Sequence, residues 1–374
     1  MTALRLLADD LTGALDTAAE LVPATGPLPV FWSGRPSTVL PPSCAFDSGT
    51  REGGREAAEA AVAGFAPALA DAALAFKKVD SLLRGHPAAE LAACLAHGSW
   101  THCIMAPAFP HQGRITCGGV QLARDPDGVW REVANLSALL AAAGVDSRKG
   151  EHDAPLRPGV TIFDATSDAE LQAVARLGRD AGGRLLWCGS AGLARALAQG
   201  APEPQPIRLA GQVLGLFGSD QAATDRQLDA CAAYRLRISG GSQDAERLAT
   251  RLDRDGVALV SLDLPSEIRR EEAADRIAGA FAALVAGMER PGALLVAGGE
   301  TLRRMCDALG ATSLEVRGRF EPGLPYSVMK GGRWDGLTVV SKSGAFGGPS
   351  LWRDLLAANG LLGENGRNDE RLSA

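Results

Sequence analysis

Short apolar runs alternate with alanine-rich, helix-spaced stretches along nearly the whole chain, and this alternation restricts the fold more than any other feature. LRLLA at 4–8 reads as a buried strand and Leu15–Leu21 as the helix after it. The pattern recurs as LPVFW (28–32), a helix over Arg55–Ala73, LAFKKVDS (74–81), a helix over Ala88–Ala96, HCIMAPAF (102–109), VTIFDA (160–165) and RLLWCGS (184–190). In the second half QVLGLFGS, YRLRIS, VALVSLD, ALLVAGGE and LTVVSKSG are strand-like in the same way. Strands separated by helices need crossover connections, which predicts an α/β fold of mainly parallel sheets flanked by helices.

The stretch GAPEPQPIRLAGQ (200–212) interrupts the alternation with three prolines in five residues. Proline cannot continue a helix and stiffens a connection, so a domain boundary is expected there. The expected organisation is two domains, 1–204 and 205–362, with an active-site cleft between them and a polar, disordered tail over 363–374. A chain of 374 residues suits two cores better than one. Its net charge of −6 argues against a nucleic-acid surface, and no apolar run is long enough to span a bilayer. Asp9 and Asp10 would interrupt any signal core, and the seven cysteines contain no C-x-x-C pair. Together these indicate a cytoplasmic protein with reduced thiols.

Ligands of open α/β sheets gather where strands end at their carboxyl edge, and the unusual clusters of this sequence fall at such ends. The first half supplies side-chain charge: Asp9-Asp10 with Thr12-Gly13, Lys77-Lys78 with Asp80, Ser81 and Arg84, and Gln112-Gly113-Arg114. That chemistry suits a small, hydroxylated anion, with arginine gripping a carboxylate. The second half supplies glycine and hydroxyls: Gly218-Ser219, Gly298-Gly299-Glu300-Thr301 and the run Lys342–Gly348. Such loops let backbone N–H groups approach phosphate oxygens. The pairing suggests phosphoryl transfer.

A helix cap explains one of the two aspartates and leaves the other over. Gly189-Ser190 reads equally as a tight strand-to-helix turn. His97, His102, Cys103, His111 and Cys117 match no common zinc spacing, and no metal ligands are identified. Neither G-x-x-x-x-G-K-[ST] nor a strand-borne G-x-G-x-x-G occurs.

At these clusters the sequence resembles the four-carbon acid sugar kinase family. The stretches are ADDLTGALD (8–16), KKVDSLLRG (77–85), APAFPHQGR (106–114), GSAGLA (189–194), GGET (298–301) and PGLPYSVMKGG…VVSKSGAFGG (322–348), in the family's order. The resemblance implies ATP-dependent phosphorylation of the terminal hydroxyl of a tetronate such as threonate, erythronate or an oxo-tetronate; Mg²⁺ is expected to accompany the ATP phosphates, and a homodimer is a candidate assembly. It implies an acid-sugar domain carrying Asp9, Asp10, Lys78, Asp80, Ser81, Arg84 and Arg114. The nucleotide domain would carry Ser219, Gly298, Gly299, Glu300, Thr301, Gly344 and Gly347.

In the expected mechanism Asp10 is the base or hydroxyl orienter and Asp9 the helix cap or a supporting group. Arg84 and Arg114 clamp the substrate carboxylate, and Lys78 neutralises charge. Leu15, Leu82 and Ala345 stand where the family usually has Asn, Thr and Asn, and GHPAAE (85–90) departs from its usual Gly-Asn-x-Gly. The first two changes are expected to bear on which acid is accepted. Competing readings are a different enzyme acting on a phosphorylated sugar acid, and a catalytically silent binding module.

Overall fold

Asp10 fixes where the first helix begins: it is extended, and its Oδ1 accepts the Gly13 N–H at 2.9 Å. The helix therefore starts at Leu11, four residues before the apolar spacing alone suggests, and runs to Thr25. In the computed structural model, residues 3–32, 34, 40–125, 127–201, 207–218, 221–264 and 267–363 are described. The chain divides into two compact units, Met1–Pro204 and Gln205–Ala374. The linker residues 202–206 and the end of the expected tail, 364–374, lie outside the described residues.

In the first unit the strands are β1 (Leu4–Ala8), β2 (Leu28–Phe31), β3 (Cys44–Asp47), β4 (Leu74–Lys78), β5 (His102–Ala106), β6 (Arg114–Cys117), β7 (Val120–Arg124), β8 (Trp130–Asn135), β9 (Ser147–Lys149), β10 (Gly159–Ile162) and β11 (Leu185–Gly189). Its helices are α1 (Leu11–Thr25), α2 (Arg55–Ala70), α3 (Pro87–Ala96), α4 (Leu136–Ala141), α5 (Asp168–Asp180) and α6 (Ala191–Leu197). The described strands form a parallel sheet in the order β2-β3-β1-β4-β11-β5-β10-β9, and β6-β7-β8 form a separate antiparallel sheet. Val62, Phe65, Leu91 and Leu140 of α2, α3 and α4 join Leu7, Phe46, Met105 and Leu186 of the sheet in one apolar cluster. Helices α1, α5 and α6 pack together as another layer.

The second unit has β12 (Val213–Phe217), β13 (Arg235–Ile238), β14 (Val257–Leu262), β15 (Ala293–Ala297), β16 (Ser313–Arg319), β17 (Pro325–Lys330) and β18 (Thr338–Lys342). Helices α7 (Ala222–Asp229), α8 (Asp244–Asp255), α9 (Arg270–Ala286), α10 (Gly299–Leu309) and α11 (Leu351–Ala358) complete it. Strands run β13-β14-β12-β15-β18-β17-β16, parallel through β18 and antiparallel at β17 and β16.

Continuous apolar runs produced the central parallel strands such as β5, β12 and β15, buried on both faces, whereas β9 and β13 are polar and partly exposed. The antiparallel strands β6–β8 and β16–β17 escape that pattern because hairpins need no helix between them. β3, only four residues long, escapes it too.

Each unit has a point where the strand order reverses. From β1 the chain goes through α1 to β2 and β3 on one side, then lays β4 on the other. From β12 it goes to β13 and β14 on one side and lays β15 on the other. The loops leaving such neighbours diverge and leave a crevice at the carboxyl ends. No described helix is long and apolar enough to cross a membrane.

Candidate active site

At the first crevice, the loops after β1, β3, β4 and β5 bring charge together. Arg51, four residues past β3, is its hub. Its Nε and Nη2 each donate at 2.8 Å to a different oxygen of Asp9, and its Nη1 lies 2.7 Å from Asp10 Oδ2. Asp80 Oδ1 stands 3.9 Å from Arg51 Nη2. The Arg51 loop is held by backbone bonds, since Thr50 and Arg51 N–H both donate to the Asp9 carbonyl at 3.0 and 3.2 Å.

Burial works against the Asp9 charge. The Arg51 charge and hydrogen bonds, with Lys77 and Lys78 behind them, nevertheless keep that carboxyl below its ordinary value of 3.8. Burial likewise opposes the Asp80 charge and is outweighed by the Arg84 hydrogen bond and the charges of Arg51 and Lys78. Arg84 meets Asp80 as a fork, Nε at 2.7 Å and Nη2 at 3.0 Å.

The helix cap expected of Asp9 falls instead to Asp10, while Asp9 takes the supporting place. Asp10 is the cap, and it is also the more reachable: its side chain is 20% exposed against 5% for Asp9. Thr12 Oγ1 donates to Asp10 Oδ2 at 2.6 Å. Asp9 caps nothing and serves as the buried counter-ion of Arg51. A Cβ at Gly13 would lie 2.4 Å from Asp10 Oδ1 and 3.3 Å from Lys78 Nζ, so only glycine admits both groups.

The adjacent lysines separate by strand alternation. Lys77 Nζ forms a fully buried pair with Glu90 of α3 at 2.7 Å, and Glu90 Oε1 accepts from Thr50 Oγ1 at 2.6 Å. Lys78 Nζ donates to the Val79 carbonyl at 2.8 Å and, among the described residues, forms no ion pair. Arg114 likewise forms no ion pair among the described residues; its Nη1 donates to Gln112, at the carbonyl (2.6 Å) and Oε1 (3.0 Å). Lys78 and Arg114 therefore both stand near the Asp80 charge, yet among the described residues neither is in a direct ion pair.

The β4–α3 turn that carries this charge is conformationally unusual. Leu83 has φ +54°, a region that costs a non-glycine residue about 1 kcal/mol or more. Ser81 is half-buried, with its carbonyl accepting from Gln121 Nε2 at 2.8 Å. Leu15 has no exposed surface and belongs to the core, so any bearing it has on which acid is accepted acts through packing. Ser190 caps α6 and donates to the Ala108 carbonyl at 2.6 Å, so Gly189-Ser190 is a structural turn.

In the second unit, Gly298 (φ +106°) caps α10 and its N–H donates to the Lys342 carbonyl at 3.0 Å, tying the loops after β15 and β18 together. That φ reserves the position for glycine. Thr301 is buried. Glu300 is exposed and its charge is taken by Arg304, whose Nε is 2.5 Å away. Gly344 and Gly347 lie in the 343–348 loop, whose contacts are described below; Ser219 lies outside the described residues.

Lys342, ending β18, is 1% exposed, and burial alone lowers its ammonium from the usual 10.5 to about 7. Between those values the unfolded chain holds a proton that the folded chain has released, so stability contributed by this group rises with pH from about 7 towards 10.5. Urea unfolding of wild type and Lys342→Met at pH 7 and pH 9 checks this. Wild type should gain on the variant by up to ~1.4 kcal/mol per pH unit, and an unchanged difference would refute it.

Two known domain families match the chain: the sugar-binding N-terminal domain over residues 4–133 and the nucleotide-binding C-terminal domain over 213–351. A D-threonate kinase of Cupriavidus necator is 32% identical, covering 93% of this chain and 96% of its own. The chain belongs to the four-carbon acid sugar kinase family. A 3-oxo-tetronate kinase of Methylobacterium radiotolerans is 29% identical over 73% of this chain and 77% of its own. Haemophilus influenzae protein HI1011 has the same fold, with a TM-score of 0.67 at 17% identity, over 95% of this chain and 100% of its own.

Among the family-matched positions, the structure gathers Asp9, Asp10, Asp80 and Arg84 around Arg51, with Lys78 and Arg114 near Asp80. Arg51 itself is absent from the sequence-based set. Its signal is the Asp-Ser-Gly-Thr-Arg run at 47–51, a polar cluster directly after an apolar strand.

Proposed function

We propose that the protein transfers the γ-phosphoryl group of ATP to the terminal hydroxyl of a four-carbon sugar acid, with D-threonate the first substrate to test. The observation that carries this is the pair of half-buried or buried cations, Lys78 and Arg114, which stand near Asp80 but form no direct ion pair among the described residues, in a site where Arg51 and Arg84 are paired with carboxylates. An acid whose carboxylate meets Arg114 supplies one missing anion, and the transferring phosphoryl group supplies the other at Lys78.

Arg84, with its charge already shared by Asp80, frames the carboxylate end rather than gripping it alone. Asp10 orients the attacking hydroxyl, held by Thr12, Gly13 and Arg51 so that its remaining acceptor capacity points one way. Phosphoryl transfer passes through a loose transition state, so placement of the hydroxyl outweighs proton removal in this account. The nucleotide phosphates are assigned to the glycine loops after β12, β15 and β18.

Among the described residues, no group of three or more His, Cys, Asp or Glu side chains is arranged as a metal cage. Mg²⁺, where it accompanies ATP, would be held chiefly by the nucleotide phosphates and would offset their charge.

The experiment is ADP formation by purified protein with ATP, Mg²⁺ and D-threonate, L-threonate, D-erythronate or a 3-oxo-tetronate, against glycerate and no acid. ADP formation should depend on a four-carbon acid, with kcat/KM highest for one of the panel. Equal ADP release with and without acid would reject the proposal.

A further inference from the structure

The loop after β18 has its carbonyl groups tied inward by three buried side chains. Lys342 Nζ donates to the carbonyls of Ser343 (3.0 Å) and Gly344 (2.9 Å) and to Thr224 Oγ1 (3.3 Å). Thr224 Oγ1 donates in turn to the Gly344 carbonyl at 2.8 Å. Gln227 Nε2 reaches the carbonyls of Phe346 (2.9 Å), Gly347 (3.1 Å) and Gly348 (3.0 Å), and these three acceptors fix which end of its amide is nitrogen. Lys342 and Thr224 are each 1% exposed and Gln227 is 0% exposed.

A trans peptide points its carbonyl and the following N–H in opposite directions. Pinning the carbonyls of 343, 344, 346 and 347 inward therefore turns the N–H groups of 344, 345, 347 and 348 outward. Among the described residues those four N–H groups donate no hydrogen bond, whereas the Phe346 N–H, on the one peptide whose carbonyl is not pinned, closes the turn onto Ser343 at 3.0 Å. The pinned carbonyl of Gly348 precedes Pro349, which has no N–H to present. Successive outward N–H groups form an anion-binding nest.

We infer that Thr224, Gln227 and Lys342 are positioning residues that hold this loop as a cradle of four N–H groups for the phosphate oxygens of the nucleotide. The inference rests on the kinase reading and assigns that reading a phosphate subsite with its supports. None of the three side chains needs to touch the nucleotide. Each acts through the carbonyl it pins, which is why ordinary helix residues of α7 take part.

The test compares Thr224→Val, Thr224→Ser and Gln227→Leu with wild type. Calorimetry with Mg-ATP should show affinity about tenfold weaker in Thr224→Val and Gln227→Leu, the equivalent of one hydrogen bond, with Thr224→Ser close to wild type. KM for ATP should rise while KM for the acid stays unchanged, a split that general loosening of the fold would not produce. Hydrogen exchange on the wild type gives a second readout that needs no variant to fold: ATP should protect residues 343–348. Wild type that binds ATP without protecting them, or folded variants within twofold of wild-type ATP affinity, overturns the inference alone. Wild type that binds no ATP overturns the kinase reading together with it.

Discussion

Arg51→Met should lower the thermal midpoint of the first unit by about 10 °C and abolish turnover. Removing Arg51 leaves Asp9 nearly fully buried without its two charge-assisted hydrogen bonds, and Asp10 without its nearest cation. Breaking a buried pair from one side costs about 3–5 kcal/mol, and in a unit of this size each kcal/mol moves the midpoint by about 2–4 °C. Arg51→Lys should recover little, because a lysine ammonium cannot supply a two-pronged contact to Asp9 and a third to Asp10.

The acid side has a definite sign. Asp9 and Asp80 have depressed folded values, so their stabilising contribution is present above 3.8 and is lost as pH falls through the folded values. In Arg51→Met the carboxylates lose the cation that depresses them, and acid relieves their repulsion. The gap between wild type and variant should therefore narrow on going from pH 7 to pH 4 in urea unfolding. A variant within 2 °C of wild type at pH 7 would remove Arg51 from its place as hub.

Asp10→Asn should lower kcat by ~10²–10⁴-fold while leaving the fold and the KM for the acid nearly unchanged. Asparagine caps helices as well as aspartate, so α1 keeps its start and the Gly13 N–H keeps an acceptor. Arg51 retains Asp9 and the nearby Asp80 charge, which avoids a stranded buried cation. What is lost is the negative charge that turns the substrate hydroxyl towards phosphorus. Steady-state kinetics with a circular-dichroism melt separates the two effects. Near wild-type kcat would exclude Asp10 from the chemistry, whereas a collapse in stability would show that its ion pair with Arg51 was its main task.

The parallel strands were legible because strands covered on both faces must be apolar throughout, and runs such as LRLLA and ALLVA have no competing reading. The charged loops were legible because strand ends are where such residues have no folding reason to sit. Arg51 was not, since its strand is four residues long and its partners lie some forty positions away. Lys77 and Lys78 look identical in sequence, and only their opposite directions from β4 send one to Glu90 and the other towards α1. That Leu15 points into the core was not legible either, because helical spacing places it one turn past the aspartates and only packing shows where it turns. Thr224 and Gln227 carry no signal in sequence, because their role depends on carbonyls about 120 residues away.

The account's central claim, phosphoryl transfer to the terminal hydroxyl of a four-carbon acid, is tested most directly by ³¹P nuclear magnetic resonance of the product made with ATP and the best acid of the panel. The account predicts a phosphomonoester whose phosphorus couples to the protons of the terminal carbon, formed in equal amount with ADP. Phosphorus coupled to an internal carbon's proton, or inorganic phosphate as the sole product, would contradict it.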